Sequence, residues 1–158
     1  MTDHIVLQVL KNPDPLLRRI SAPVDIDRLR EDDFLQFIQN LKITMRIEDG
    51  VGIAAPQVGV AERVIIIDRD GRPTAYINPE ITERSFKMIE GEEGCLSVND
   101  VWGIVKRHRG ITVTYITEQG ERVTEKLHGF LAVVFQHEID HLDGILFIDR
   151  ATKTYPKR

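Results

Sequence analysis

Hydrophobic positions along this chain change period twice. Between Arg28 and Glu48 the residues Phe34, Phe37, Ile38, Leu41 and Met45 recur at i, i+3, i+4, i+7 and i+11, with polar residues between them. That spacing predicts an amphipathic helix of roughly five turns with one buried face. It ends at Asp49-Gly50, where Gly supplies the helix exit. Upstream, Asn12-Pro13-Asp14-Pro15 predicts a cap and a short helical turn from Leu16 to Ser21, since Pro suits the first helical position. From Val64 onward the pattern is that of strands. Val64–Ile67 and Thr74–Ile77 flank Asp70-Gly71, a hairpin pair, and Ile111–Thr117 and Arg122–Leu127 flank Gln119-Gly120. Ile81–Ile89 and Val101–Arg107 are also expected to be strands. From Gly129 to Asp143 a second helix is apolar almost all round and stops at Gly144, and a helix of that kind is buried. Helix, strands, helix predicts an α+β fold, with antiparallel sheets packed around a buried C-terminal helix.

The chain has 158 residues, 42% hydrophobic and 29% charged, which is the size of one domain spanning 1–158. The formal net charge is -4 with both signs scattered, so no basic nucleic-acid footprint is present. The longest apolar run, Phe130–Phe135, is far short of the ~20 residues a membrane helix needs. Met1 to Asp14 shows no basic region followed by a long apolar stretch, so no secretory leader is expected. The one cysteine, Cys95, cannot form an intramolecular disulfide, and the expected location is the cytoplasm.

The buried helix carries His137-Glu138-Ile139-Asp140-His141. Two imidazoles four residues apart share a face and can bind one metal ion, with Glu138 close enough to exchange a proton with water there. Two ordinary histidines on a helix are the blander alternative. These polar groups, however, follow the most apolar stretch of the chain, and burying them without partners is costly. A metal compensates them directly. Asp140 is read either as orienting a ligand imidazole or as a structural hydrogen-bond partner. His4, His108 and His128 lie in no such spacing and read as surface or turn histidines. A third ligand is needed. Asp143 and Asp149 are the downstream candidates, and no His follows His141. Upstream, Cys95 lies within Glu93-Gly94-Cys95-Leu96-Ser97, and a thiolate suits zinc or ferrous iron. Beside an incomplete two-His site Cys95 is the better choice. Three protein ligands with one open position are the pattern of a catalytic site.

Gly50-Val51-Gly52-Ile53-Ala54-Ala55-Pro56-Gln57 satisfies a dinucleotide-binding pattern over its first six residues, but that reading needs a strand before it and a helix after it. Here a helix precedes and Pro56 follows. The segment instead reads as one where small residues let backbone and a polar side chain approach a ligand, with Gln57 as an amide donor.

GVGIAAPQ, EGCLS and HEIDH, in this order, resemble the three signature motifs of peptide deformylases, metal-dependent hydrolases that remove the formyl group from the N-terminal methionine of new polypeptides. The resemblance runs from about Asn12 to Asp149. It implies Cys95, His137 and His141 as ligands, Glu138 as catalytic acid/base, and Gln57 with the backbone N–H of Leu96 as donors to the developing oxyanion. It also implies one divalent ion, ferrous iron first, with zinc, nickel or cobalt able to replace it. Val51, Gly52 and Gly94 are then expected to contact the peptide. Phe130, Val133 and Val134, one and two turns before His137, would form an apolar wall suited to a methionine side chain, although core packing would explain them equally. The implied partner is an N-formylmethionyl peptide, with no nucleic acid or membrane. Asn99 and Trp102 stand where many members carry Pro and a basic residue. Ribosome or nascent-chain contact is conceivable for the family, but fourteen residues follow Gly144 and no docking helix is expected. Lys153, Lys157 and Arg158 read as a solvated end. A peptidase using the same helix, or a metal-stabilised binding protein without turnover, are the competing readings.

Overall fold

The computed structural model describes residues 4–158; the first three residues of the segment read as lacking a leader lie outside the described residues. Eight strands and three α-helices are described: α1 (Asp32–Ile47), β1 (Gly52–Ala54), β2 (Val64–Arg69), β3 (Arg72–Arg84), β4 (Met88–Cys95), β5 (Val98–His108), β6 (Gly110–Ile116), β7 (Arg122–His128), α2 (Gly129–Leu142), α3 (Phe147–Arg150) and β8 (Lys153–Pro156). They build two antiparallel sheets, β1-β2-β3-β6-β7 and β4-β5-β8. The α+β architecture with a buried C-terminal helix is therefore as expected.

Strand β2 shows how the larger sheet is filled on both faces. Side chains alternate along a strand. Val64 and Ile66 face α1, joining Phe34, Ile38, Leu41 and Met45, while Ile65 and Ile67 face α2, joining Phe135, Ile139 and Leu142. All four β2 residues are at most 1% exposed. Tyr76 packs edge-on against both Tyr115 and Phe135, with ring centroids 4.7 Å apart in each pair.

Several local expectations shift. α1 begins at Asp32 rather than near Arg28, because Ile26–Arg30 forms a separate 3-10 turn capped by Asp25. The apolar stripe begins only at Phe34, and Asp32 and Asp33 suit the positive end of the helix. The helix exit is made by Asp49 (φ 58), not Gly50. Asp tolerates the left-handed region, and Gly50 serves close packing instead, since a Cβ there would lie 3.0 Å from Leu96 Cδ1. Ile81–Ile89 is not one strand: β3 ends at Arg84 and β4 starts at Met88. Between them the chain turns from one sheet to the other, held by Ser85 Oγ, which donates to Lys87 O and accepts from Gly110 N. The short turn after Pro15 is 3-10, capped by the Asp14 side chain. The C-terminal residues are not merely a solvated end: Lys153 and Arg158 are exposed as expected, but β8 pairs with β5 from Val101 to Ile104 and Lys157 is half-buried.

Candidate metal centre

Cys95 is the last residue of β4, and Leu96-Ser97 form the turn into β5. The hairpin thus presents its tip to α2, whose far side rests on the larger sheet. Helix geometry puts His137 and His141 on the same flank of α2, with ring centroids 5.1 Å apart. One donor atom each from Cys95, His137 and His141 lie within 4.8 Å of one another, and Cys95 Sγ is 3.4 Å from His141 Nε2. Metal–sulfur and metal–nitrogen bonds of about 2.3 and 2.0 Å in tetrahedral array place sulfur and nitrogen about 3.5 Å apart. The donor set therefore fits one cation. Charge agrees: burial raises the Cys95 thiol, but the two imidazoles outweigh it and hold the thiol well below its usual range. A second acidic group, Glu138, is 2% exposed. Its Oε1 lies 3.8 Å from His141 Nε2 and 4.0 Å from His137 Nε2. Burial lifts the Glu138 carboxyl above its ordinary value, with the two imidazoles opposing.

Residues that local spacing does not reveal hold His137, whereas the buried Nδ1 of His141 has no hydrogen-bond partner among the described residues. Glu93 Oε1 accepts from His137 Nδ1 at 2.8 Å, which leaves Nε2 to face the centre. Glu93 also receives two bonds from Arg107, 3.0 and 2.9 Å. Burial works against the Glu93 carboxylate, yet His137 and Arg107 prevail and hold it at about 2. Among the described residues Asp140 accepts no hydrogen bond from either ring; it accepts from Arg107 and Arg150 at 2.6 Å each and so anchors the guanidinium that grips Glu93. Phe147 of α3 stacks on His137 with centroids 6.1 Å apart. Glu93 stood in plain sight within EGCLS, but only the hairpin register brings Arg107 to it, four residues beyond its strand partner Gly103. Asp143 and Asp149 pair instead with Arg63 and Arg18. His4 and His128 are exposed, whereas His108 is half-buried and bonded to Ser85 O at the sheet corner.

Gln57 is 1% exposed. Its Oε1 accepts from Ala54 N at 2.9 Å, and Nε2 donates to Ser97 Oγ at 3.1 Å with Cys95 Sγ at 3.6 Å. The amide donor is therefore turned toward the thiol. Gly52 lies against Glu138: a Cβ there would meet Oε2 at 2.7 Å. In front of the centre a cavity of about 620 Å³ opens, and Val51, Gly52, Gly94, Phe130, Val133 and Val134 all line it. Leu96, Gln57, Cys95, His137 and Glu138 line it too. Phe130 is 71% exposed, so α2 is apolar all round without being buried all round at its first turn.

A helix bearing two imidazoles and a carboxyl, completed by a thiol from a neighbouring hairpin and facing an apolar cleft, defines a metal-dependent hydrolase of α+β architecture. The sequence profile described as polypeptide deformylase matches residues 6–157. A peptide deformylase of Desulforudis audaxviator is 45% identical over 154 residues, covering 97% of this chain and 98% of that protein. Among solved structures, a class I type b peptide deformylase from Acinetobacter baumannii with Met-Ala-Ser bound superposes with TM-score 0.90 at 42% identity, over 94% of this chain and 99% of the other. The peptide deformylase from Thermotoga maritima superposes with TM-score 0.89 at 40% identity, over 95% and 100%. The chain belongs to the peptide deformylase family, metal-dependent enzymes that remove N-formyl groups from nascent polypeptides. The family membership expected from the three motifs is met.

Proposed function

We propose that Cys95, His137 and His141 hold the catalytic divalent ion, ferrous iron in the cell, and that Glu138 is the acid/base of formyl-methionine hydrolysis. Convergence of the three donors beside a buried carboxyl of raised pKa carries this reading. The ion supplies Lewis acidity and makes water acidic enough to react near neutral pH. Glu138, buried beside the two imidazoles, takes the proton released by water and delivers it to the departing amine nitrogen. Gln57 Nε2 and the Leu96 N–H are donors for the formyl oxygen as it becomes negative; losing one such donor costs ~10²–10³ in rate. Glu93 keeps the proton of His137 on Nδ1, so Nε2 remains a ligand. The methionine side chain lies against Phe130, Val133 and Val134, while Val51, Gly52 and Gly94 meet the peptide backbone. The enzyme works in the cytoplasm as a single domain. Among the described residues no helix is long and apolar enough to cross a membrane.

The test uses protein loaded anaerobically with ferrous iron and given formyl-Met-Ala-Ser or Met-Ala-Ser. Equimolar formate from the first and no cleavage of the second is the expected result. Cleavage of a peptide bond in the unformylated peptide would move the reading to a peptidase, and absence of formate to a binding protein. Glu138→Gln is expected to keep its metal, checked by metal analysis, and to lose ~10²–10⁴ in kcat.

A further inference from the structure

The last residues reach the cleft through β8. Trp102 opposes Tyr155 and Val101 opposes Pro156, and Lys157 N then donates to Asp100 O at 2.9 Å, so the backbone of Lys157 is fixed. Its ammonium lies 4.1 Å from the centroid of the Trp102 ring. Trp102 in turn packs against Gly94, where a Cβ would come 2.4 Å from Cζ3. Gly94 is the residue before Cys95. The stack of Gly94, Trp102 and Lys157 is thus a wall of the cleft beside the metal centre, and both Trp102 and Lys157 line the cavity.

Two cations line that cavity. Arg107 is 4% exposed and spent on Glu93 and Asp140. Lys157 makes no ion pair among the described residues, and its contact with an indole face is worth only ~0.5–1 kcal/mol at an exposed site. A carboxylate can join it without displacing a stronger partner. The exposed charges on this otherwise apolar lining, Asp49, Glu90 and Glu92, are acidic, so an incoming carboxylate is repelled except near Lys157. Resting on the reading above, we infer that Lys157 is a specificity-determining residue that favours formyl peptides with an acidic side chain shortly after the methionine. An extended peptide advances about 3.3 Å per residue, which puts the second to fourth residues in range of the wall flanking the centre.

The test uses C-terminally amidated formyl-Met peptides with Glu or Gln at the second, third or fourth residue, so that the side chain is the sole carboxylate. For the unaltered enzyme, kcat/KM is expected to favour Glu over Gln by about 2- to 5-fold at one of these positions, through KM rather than kcat. In Lys157→Gln the ratio falls to one, and in Lys157→Glu it inverts; rising salt erodes it. Trp102 is the only tryptophan of the chain, and its fluorescence gives the Kd of the deformylated Glu and Gln products without turnover, with the same ordering expected. A ratio at or below one at all three positions, or a ratio unchanged in both variants, overturns the inference. Formate release from the Gln peptides alongside such a result leaves the deformylase roles standing. If no peptide releases formate, product binding still decides the role of Lys157.

Discussion

The two long helices make opposite uses of similar surroundings. α1 lays an aliphatic stripe on one face of the larger sheet, and its buried polar residues serve the chain alone: Asn40 Oδ1 and Thr44 Oγ1 accept from Ile5 N and Leu7 N at 3.1 and 2.8 Å. α2 is clamped between the opposite face of that sheet and the β4–β5 hairpin. Its sheet side is as apolar as α1, with Phe135 and Leu142 at 0% exposure. Its hairpin side carries Asp140 and His141, and Glu138 turns toward Gly52 of β1 beside the centre, all three buried. A helix with one packed face can keep charge in water; a helix packed on two sides must pair its charge or lend it to a metal. The comparison teaches that buried charge marks the reactive side of this molecule.

Altering each side separates them. Glu93→Gln should have the largest effect, because it weakens the hold on buried Arg107 and His137; breaking such a pair costs about 3–5 kcal/mol. The carboxylate is held at about 2 against 4.5 ordinarily. Its contribution, about 3 kcal/mol by linkage, is therefore full above pH 4.5 and disappears as pH falls toward 2. Urea unfolding of both proteins across that range should show curves that converge in acid, and parallel curves would refute the coupling. Leu41→Ala, on the α1 side, should cost about 2–5 kcal/mol at every pH with metal content unchanged. Gly52→Ala comes next. Its Cβ would press on Glu138 Oε2, and a displacement of about 1 Å at a catalytic group can cost ~10² in kcat; steady-state kinetics and metal analysis on one preparation should show lost rate with metal retained. Lys42→Ala, which removes the half-buried pair with Glu118 at the flank of α1, should change stability by about 1 kcal/mol and leave activity alone.

How much could be read beforehand follows the same division. The stripe of α1, the Asp70-Gly71 hairpin and the HEIDH helix are local patterns of spacing, and each appears in place. Cys95 was reachable because two histidines left a tetrahedral site one ligand short. Arg107 was not, since its partnership with Glu93 and Asp140 depends on a hairpin register and on the packing of that hairpin against α2. The role of the last residues was also invisible: Lys153 to Arg158 look like any polar tail until β8 finds the open edge of β5.

The amino-acid order alone settled what periodicity and spacing can encode, namely two helices, paired strands, and imidazoles one turn apart with a carboxyl between them. Those features arise within a few residues of backbone, where helix and strand geometry fix which side chains share a face. Only folding in three dimensions determined that the thiol turns toward those imidazoles, that Glu93 orients His137, and that Lys157 comes to rest on Trp102. Each of these joins residues separated by 42 to 55 positions, and contacts of that kind are set by sheet register and layer packing, which no local pattern specifies.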